Sequence, residues 1–395
     1  MEMSNDVTLG QWLALAGMTV SAFVFNTSEF MPIGLLTDIA TDFRMSEARA
    51  GFVITIYAWA VMLLSLPLMV LASRIDLRRL LLGVVILFGV CQVLSAVSQS
   101  FFMLTCSRVG VACAHAVFWS IATPMAVRVV PERHRPLAMG MIITGTSVAM
   151  IFGLPLGRAV GLYVGWRATF LSIACVAFSA AVYLFFVMPK VVGGVPFRFR
   201  QVPELFKNRM LVAVFAMSLS VSAAYYTAYS YIEPFLKQVA EMSEDGITAT
   251  LSLFGASGLV GGLLFSRYYE RNRGGFVVCM TSVVAAALLL LYPASFVPWA
   301  VVVLCAFWGM AATAFNVAFQ AETIRATSVG AATVAMSIFS GIFNLGIGCG
   351  TWLGGEVCER VSMSCIGFAG GVIAVCASVY CAKIVVPLMG VRAEK

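Results

Sequence analysis

Twelve apolar segments, each about 20 residues long, constrain this chain more than any other feature of its sequence. Charged residues make up only 11% of the 395 residues, whereas a soluble domain carries about 25%. About 20 apolar residues in a helix span the hydrocarbon core of a bilayer. The alternating strands of an outer-membrane barrel would be shorter and more polar. The sequence therefore predicts an all-α membrane protein with twelve transmembrane helices.

The predicted spans form two groups of six. Their approximate bounds are 12–36, 48–72, 78–98, 101–126, 137–162 and 166–188, then 210–236, 247–268, 275–293, 297–320, 329–354 and 361–386. Residues 189–209 contain Pro, Gly and five basic residues and are the only obvious linker. The predicted organisation is a first bundle at 1–188, a cytoplasmic linker at 189–209 and a second bundle at 210–395.

The chain has a net charge of +7, and its basic residues cluster in short loops between the apolar segments. Basic residues in such loops set the orientation of a membrane protein, so this placement argues against nucleic acid as a partner. With a cytoplasmic amino terminus, inner segments hold 18 of the 25 Lys and Arg residues, and Arg108 lies inside a span. The other six are assigned outside: Arg44, Arg49, Arg158, Arg167, Lys237 and Arg360. The positive-inside rule thus predicts that both termini are cytoplasmic. Because the first ten residues contain no basic residue, the first span is expected to be retained rather than cleaved.

A weak internal repeat relates the two groups of helices. The spacing Gly-x3-Gly-x3-Gly occurs at 153–161 in the fifth segment and again at 346–354 in the eleventh. A glutamate followed by a proline closes the first segment (29–32) and the seventh (233–234). Two similar six-helix halves are typical of a secondary transporter with its site between the halves, near the membrane midplane. A receptor or a channel would not require this duplication.

Several chemical functions are not expected from this sequence. The eleven cysteines lie mostly in apolar runs without metal-ligand spacing, so neither disulfides nor a metal site is predicted. There is no phosphate-cradling loop, HExxH or CxxC pattern. We therefore expect no enzyme activity and no cofactor, and transport should be driven by a gradient rather than by ATP.

Glu29 is a charged residue within the first span, preceded by the polar residue Asn26. A charge at membrane depth costs about 2.5–3.5 kcal/mol on insertion scales and usually faces a bundle interior or a water-filled path. Pro32 removes a backbone donor, so the helix should kink or end there. Glu29 is thus predicted to bind a proton or a polar solute. The alternative is that it lies at a helix end and reaches water.

Arg108 and His115 lie seven residues apart in the fourth segment, and Trp119 follows one turn later. Seven residues are close to two helical turns, so these side chains share one face. A buried cation needs an anionic or carbonyl partner, and Glu29 is the natural candidate for Arg108. Histidine titrates near neutral pH, which suits proton exchange. The alternative for His115 is a packed imidazole bonded to a backbone carbonyl.

The seventh and eleventh segments carry further polar groups. Tyr226, Tyr229, Ser230 and Glu233 recur at three- and four-residue spacing, which gives one polar stripe. Hydroxyls and aromatic faces of this kind suit sugars. An aromatic belt at the outer interface is the alternative, strongest for Tyr231 and Glu233. Asn344 in the eleventh segment is either a ligand contact or an amide that holds helices together.

Several stretches resemble the major facilitator superfamily, and within it the bacterial sugar efflux transporters of the drug/proton antiporter group. They are FNTSEFMPIGLLTDIA (25–40), SRVGVACAHAVFWSI (107–121), GLPLGRAVG (153–161), GWRATF (165–170), YTAYSYIEPF (226–235) and SIFSGIFNLGIGCG (337–350). The resemblance covers essentially the whole chain. It implies proton-coupled export of arabinose-like sugars, lactose and thiogalactosides across the bacterial inner membrane.

The resemblance also implies roles for two sets of residues. Arg108 would be the buried arginine of the fourth-helix motif, although the usual Gln-Gly of that motif is Val111-Ala112 here. The conformational motifs would comprise Ser73, Arg74, Asp76, Gly153, Pro155 and Gly157. In the loop after helix two, Ser73 replaces the usual Asp and Asp76 replaces a Gly, so the charge relay that locks the family's two halves is altered.

The expected mechanism is that of a monomer in the bilayer in which Glu29 and His115, tuned by Arg108, exchange protons against a sugar. The sugar is expected to bind through Asn26, Glu29, His115, Tyr229, Ser230 and Asn344, with Trp119 and Phe343 as apolar walls. One rival is a multidrug or chloramphenicol proton antiporter, which should have a more apolar site. Another is a sensor that binds solute without moving it.

Overall fold

The computed structural model describes residues 7–72, 75–190, 202–327 and 332–390. Within these ranges there is no β-strand, and twelve helices, labelled α1 to α12 in chain order, are long and apolar enough to cross a membrane. They are Leu9–Gly34, Glu47–Leu68, Leu77–Ala96, Phe101–Val129, Glu132–Val164, Trp166–Val187, Arg209–Gln238, Glu244–Arg271, Arg273–Ser295, Pro298–Arg325, Val334–Arg360 and Met363–Met389. The predicted all-helical fold with twelve spans is confirmed.

Two of the spans in the first half are interrupted at prolines. α1 ends at Gly34, two residues after Pro32, and a short helix, Leu36–Asp42, follows. In α5 a π-helical turn at Ala149–Gly153 ends two residues before Pro155. A proline ring clashes with the carbonyl four residues earlier in a regular helix, and a widened turn relieves that clash. Pro32 thus ends its helix, as the sequence predicts, whereas Pro155 is accommodated.

The chain packs as two units. The first comprises Met1–Asp38 and Leu63–Phe197, and the second comprises Ile39–Met62 and Arg198–Lys395. Much of the predicted linker, 191–201, lies outside the described residues, and a short helix, Val202–Lys207, follows it. The division into sequence bundles at 1–188 and 210–395 stays a prediction.

Residues 39–62 pack with the second unit through α7 and α11. Tyr231 donates its hydroxyl to the backbone oxygen of Thr351 at 3.0 Å and lies 3.5 Å from that of Ala48. Gln238 Nε2 donates to Glu47 Oε1 at 2.7 Å. These hydrogen bonds attach the first half of α2 to the second unit.

In the first unit, glycines on α5 let that helix lie directly against α1. A Cβ atom on Gly153 would lie 2.5 Å from Thr27 Oγ1, and one on Gly157 would lie 3.0 Å from Met31 Cγ. Real Cβ atoms do not approach other atoms so closely. The glycine spacing in the sequence therefore reflects close helix packing, as expected for membrane helices that associate through small residues.

In the second unit, a buried carboxylate joins α8, α9 and α10. Glu322 accepts from the Tyr269 hydroxyl and from Arg273, whose Nε lies 2.8 Å from Oε1 and whose Nη2 lies 2.5 Å from Oε2. Arginine and carboxylate can form such paired bonds with strong directionality. No local sequence pattern predicts this cluster, because its three members lie on three different helices.

A Gly153→Ala substitution tests the packing of α1 on α5. The added methyl group would overlap Thr27, and overpacking of this kind costs about 1–3 kcal/mol. We expect a lower thermal unfolding midpoint for the purified protein in detergent, followed by circular dichroism. Gly140→Ala on the same span is the matched control, because a Cβ there meets nothing within 4 Å. Equal midpoints for the two variants would contradict close packing at Gly153.

Candidate functional site

The site in the first unit begins with a backbone carbonyl that Pro32 leaves without its helical donor. In an α-helix the N–H of residue 32 would bond to the oxygen of residue 28, and proline has no N–H. Arg108 Nη2 instead donates to the Ser28 backbone oxygen at 2.9 Å, and Nη1 donates to Ser28 Oγ at 3.0 Å. The Arg108 residue is only 1% exposed. The sequence predicts an anionic or carbonyl partner for Arg108, and the structure shows a bond to the Ser28 carbonyl.

Two further residues surround this guanidinium. Gln92 on α3, fully buried, donates through Nε2 to Ser28 Oγ. The Phe170 ring on α6 lies beneath Arg108, with its centroid 5.9 Å from Cζ, a distance suitable for a cation–π contact. Neither residue was predicted. Gln92 is a lone glutamine in the apolar third span, and this polarity could have marked it as a candidate. The sequence around it contains no pattern that links it to Arg108.

Glu29 and His115 face each other in the same unit. Glu29 Oε2 lies 3.8 Å from His115 Nε2, and the two side chains are 13% and 6% exposed. The separation is longer than a hydrogen bond but allows an ion pair when the imidazole is protonated. Trp119 lies edge-on to His115, with ring centroids 6.0 Å apart. The structure therefore brings together the residues predicted from the first and fourth spans.

Asn26 contacts α5 through its amide, which donates to the Thr146 backbone oxygen at 3.4 Å. A second buried arginine lies on α5. Arg158, which the count of basic residues places on the outer side, is 1% exposed and donates through Nη1 to the Gly34 backbone oxygen at 2.8 Å. The last carbonyls of a helix lack intrahelical donors and favour a nearby cation. Arg158 therefore caps the end of α1.

In the second unit, Tyr229 belongs to a buried aromatic cluster. Its ring centroid lies 4.8 Å from that of Tyr225, 4.9 Å from that of Phe254 and 6.0 Å from that of Trp308. These rings come from α7, α8 and α10. The interface alternative is wrong for Tyr231 and Glu233, because both residues are buried rather than exposed at the edge of a span.

The other predicted contacts in the second unit lie on α7 and α11. The Ser230 hydroxyl is buried and bonded to Thr351 Oγ1 at 2.7 Å, which is a helix-to-helix contact. Asn344 donates through Nδ2 to the Ser340 backbone oxygen at 3.0 Å, while its buried Oδ1 has no protein partner among the described residues. The ring centroids of Phe343 and Tyr226 are 6.3 Å apart. Their roles toward a ligand stay predictions.

The conformational motifs are only partly described. Ser73 and Arg74 lie outside the described residues. Asp76 caps the start of α3, with its carboxylate accepting from the Arg79 backbone N–H at 3.1 Å. Gly153 and Pro155 flank the end of the π-helical turn in α5. Switching roles for these residues stay predictions.

The chemistry available is that of proton exchange and polar binding. Within the described residues, no group of three or more His, Cys, Asp or Glu side chains is arranged to hold a metal ion. A carboxylate and an imidazole inside membrane spans can each gain or lose a proton. Such intramembrane groups are typical of substrate and proton pathways.

Comparisons with known proteins agree on the fold. A sequence model of the Major Facilitator Superfamily matches residues 18–346. A bacterial homolog of the human lysosomal transporter Spinster, in an inward-facing and unoccupied conformation, matches with a TM-score of 0.72 at 17% identity, over 97% of this chain and 94% of that one. The inward-facing, occupied conformation of that homolog matches with a TM-score of 0.67 at 18% identity, over 95% and 93%.

The bonds between Arg108 and Ser28 can be tested by Arg108→Lys. A lysine loses the planar fork that reaches both acceptors, and hydrogen bonds of charged groups contribute about 1.5–3 kcal/mol. We expect a clearly lower thermal unfolding midpoint, whereas Arg135→Lys, at an exposed arginine paired with Glu132, should have almost no effect.

Combining Arg108→Lys with Pro32→Ala tests whether Pro32 frees the Ser28 carbonyl for Arg108. The alanine N–H can bond to the Ser28 carbonyl, so Arg108→Lys should be less destabilising in the Pro32→Ala background. An equal loss in both backgrounds would show that the freed carbonyl does not hold Arg108.

Proposed function

The chain belongs to the Major Facilitator Superfamily, and from this we propose that it exports sugars across the bacterial inner membrane in exchange for protons. The family and the fold establish a multi-pass membrane transporter of a small solute. The observation that supports proton coupling is the juxtaposition of Glu29 and His115 at 3.8 Å, both largely buried in membrane spans. Arg108, bonded to Ser28, holds a positive charge beside them.

In the proposed cycle, a proton and the sugar favour different states of the site. The sugar binds from the cytoplasm while Glu29 is ionised and accepts from sugar hydroxyls. After the sugar leaves on the outer side, a proton from that side binds Glu29, weakens sugar binding and favours return to the inward-open state. The proton is then released to the cytoplasm. Coupling follows because each state binds the two ligands with different affinity.

Each unit carries residues that we propose contact the sugar. Those of the first unit are Asn26, Glu29, His115 and Trp119, and those of the second are Tyr229, Phe343 and Asn344. The unpaired Asn344 Oδ1 supports a ligand hydroxyl as its partner. Ser230 stays a predicted contact, although its hydroxyl is bonded to Thr351. Arabinose-like sugars, lactose and thiogalactosides are the proposed substrates, and the transporter is proposed to be a monomer with both termini in the cytoplasm.

A multidrug or chloramphenicol proton antiporter is the second candidate. The observation in its favour is the aromatic cluster of Tyr225, Tyr229, Phe254 and Trp308, because broad apolar walls suit drugs. The hydroxyl and amide groups favour sugars. Protection of growing cells against chloramphenicol, without any change in intracellular sugar, would select the drug exporter.

Proton coupling is tested in proteoliposomes with an imposed pH gradient and a radiolabelled thiogalactoside. Glu29→Gln removes the exchangeable proton of the carboxyl group, and His115→Ala removes the imidazole. Coupling energies of 1–3 kcal/mol correspond to about 5–150-fold effects, so we expect the gradient-driven flux to fall at least about fivefold. Glu132→Gln, at an exposed carboxylate, should transport like the unchanged protein. Full gradient-driven flux in both site variants would refute this assignment.

A further inference from the structure

A tryptophan on α2 lies against a glycine on α11. Both residues belong to the second unit, since residues 39–62 pack there. A Cβ atom on Gly348 would overlap the five-membered ring of Trp59, and even the ring's Cγ atom would be only 3.1 Å away. The absence of a side chain at Gly348 is therefore what allows the indole to occupy this position.

This contact brings an unpaired donor close to an unpaired acceptor. Trp59 Nε1 is buried and has no hydrogen-bond partner among the described residues. Asn344 is 6% exposed, and its Oδ1 likewise has no partner. Asn344 precedes Gly348 by four residues, so the two positions share one face of α11 about 6 Å apart. Trp59 Nε1, which lies against Gly348, is therefore next to the face of α11 that carries Asn344.

Thr351, a neighbouring polar residue on α11, has hydrogen-bond partners. Thr351 binds Ser230 through its hydroxyl and Tyr231 through its backbone oxygen. A buried donor or acceptor left without a partner is costly, and buried polar groups in proteins are generally satisfied. A ligand that bonds to both the donor on α2 and the acceptor on α11 would satisfy these two groups.

We propose that Trp59 and Asn344 form a subsite for one face of a sugar ring. A ligand hydroxyl donates to Asn344 Oδ1, another ligand oxygen accepts from Trp59 Nε1, and the C–H surface of the ring packs on the indole. The substrate class rests on the proposed function. Trp59 is then a specificity-determining residue, and Gly348 is the residue that positions it.

The test is calorimetric binding of isopropyl thiogalactoside to the full-length protein in detergent. Trp59→Phe retains an aromatic ring and removes the N–H, and the loss of one hydrogen bond should weaken binding by about tenfold. Gly348→Ala should displace the indole and weaken binding at least as much. Gly341→Ala on the same helix is the matched control, because a Cβ there meets nothing within 4 Å, and it should bind normally.

The outcomes separate this inference from the proposed function. Trp59→Phe tests the subsite even if Gly348→Ala does not fold. Unchanged affinity in Trp59→Phe would overturn the subsite while leaving sugar export intact. If the unchanged protein binds neither thiogalactoside nor arabinose, sugar export fails, and chloramphenicol becomes the probe. Weaker chloramphenicol binding in Trp59→Phe would then support the subsite for a different hydroxyl-bearing solute, and unchanged binding would overturn it.

Discussion

A backbone carbonyl inside a membrane has no water to bond with, so any break in a helix there must be repaired by the protein itself. Pro32 creates such a break in α1. The carbonyl that it frees, at Ser28, is bound by Arg108, and the carbonyl at the end of the helix, at Gly34, is bound by Arg158. Two buried arginines from α4 and α5 therefore complete the backbone bonding of α1. Much of the polar interior of the first unit follows from this requirement.

The same repair places charge where a transporter needs it. Arg108 is bonded to Ser28, which directly precedes Glu29 in the chain. Its guanidinium is therefore held close to the backbone that carries Glu29. His115 lies two turns further along the helix that carries Arg108 and reaches Glu29 at 3.8 Å. A carboxylate, an imidazole and a fixed cation thus share a short stretch of two helices. Such groups are costly in a membrane interior, and they are typical of proton and substrate pathways.

The second unit contains both paired and unpaired buried polar groups. Ser230, Tyr231 and Thr351 satisfy one another and hold α7 against α11. Trp59 Nε1 and Asn344 Oδ1 have no such partners. Closely packed aromatic rings from α7, α8 and α10 provide the apolar surroundings. The paired groups stabilise the contacts between these helices.

The sequence alone determined the helical class, the twelve spans, the end of α1 near Pro32 and the shared face of Arg108 and His115. All of these depend on segment length and helical period, which are local properties. Only the tertiary structure showed Gln92 beside Ser28, the burial of Arg158, and Trp59 lying on Gly348. A membrane helix is apolar toward both lipid and protein, so its sequence does not reveal which of its faces meets which distant helix.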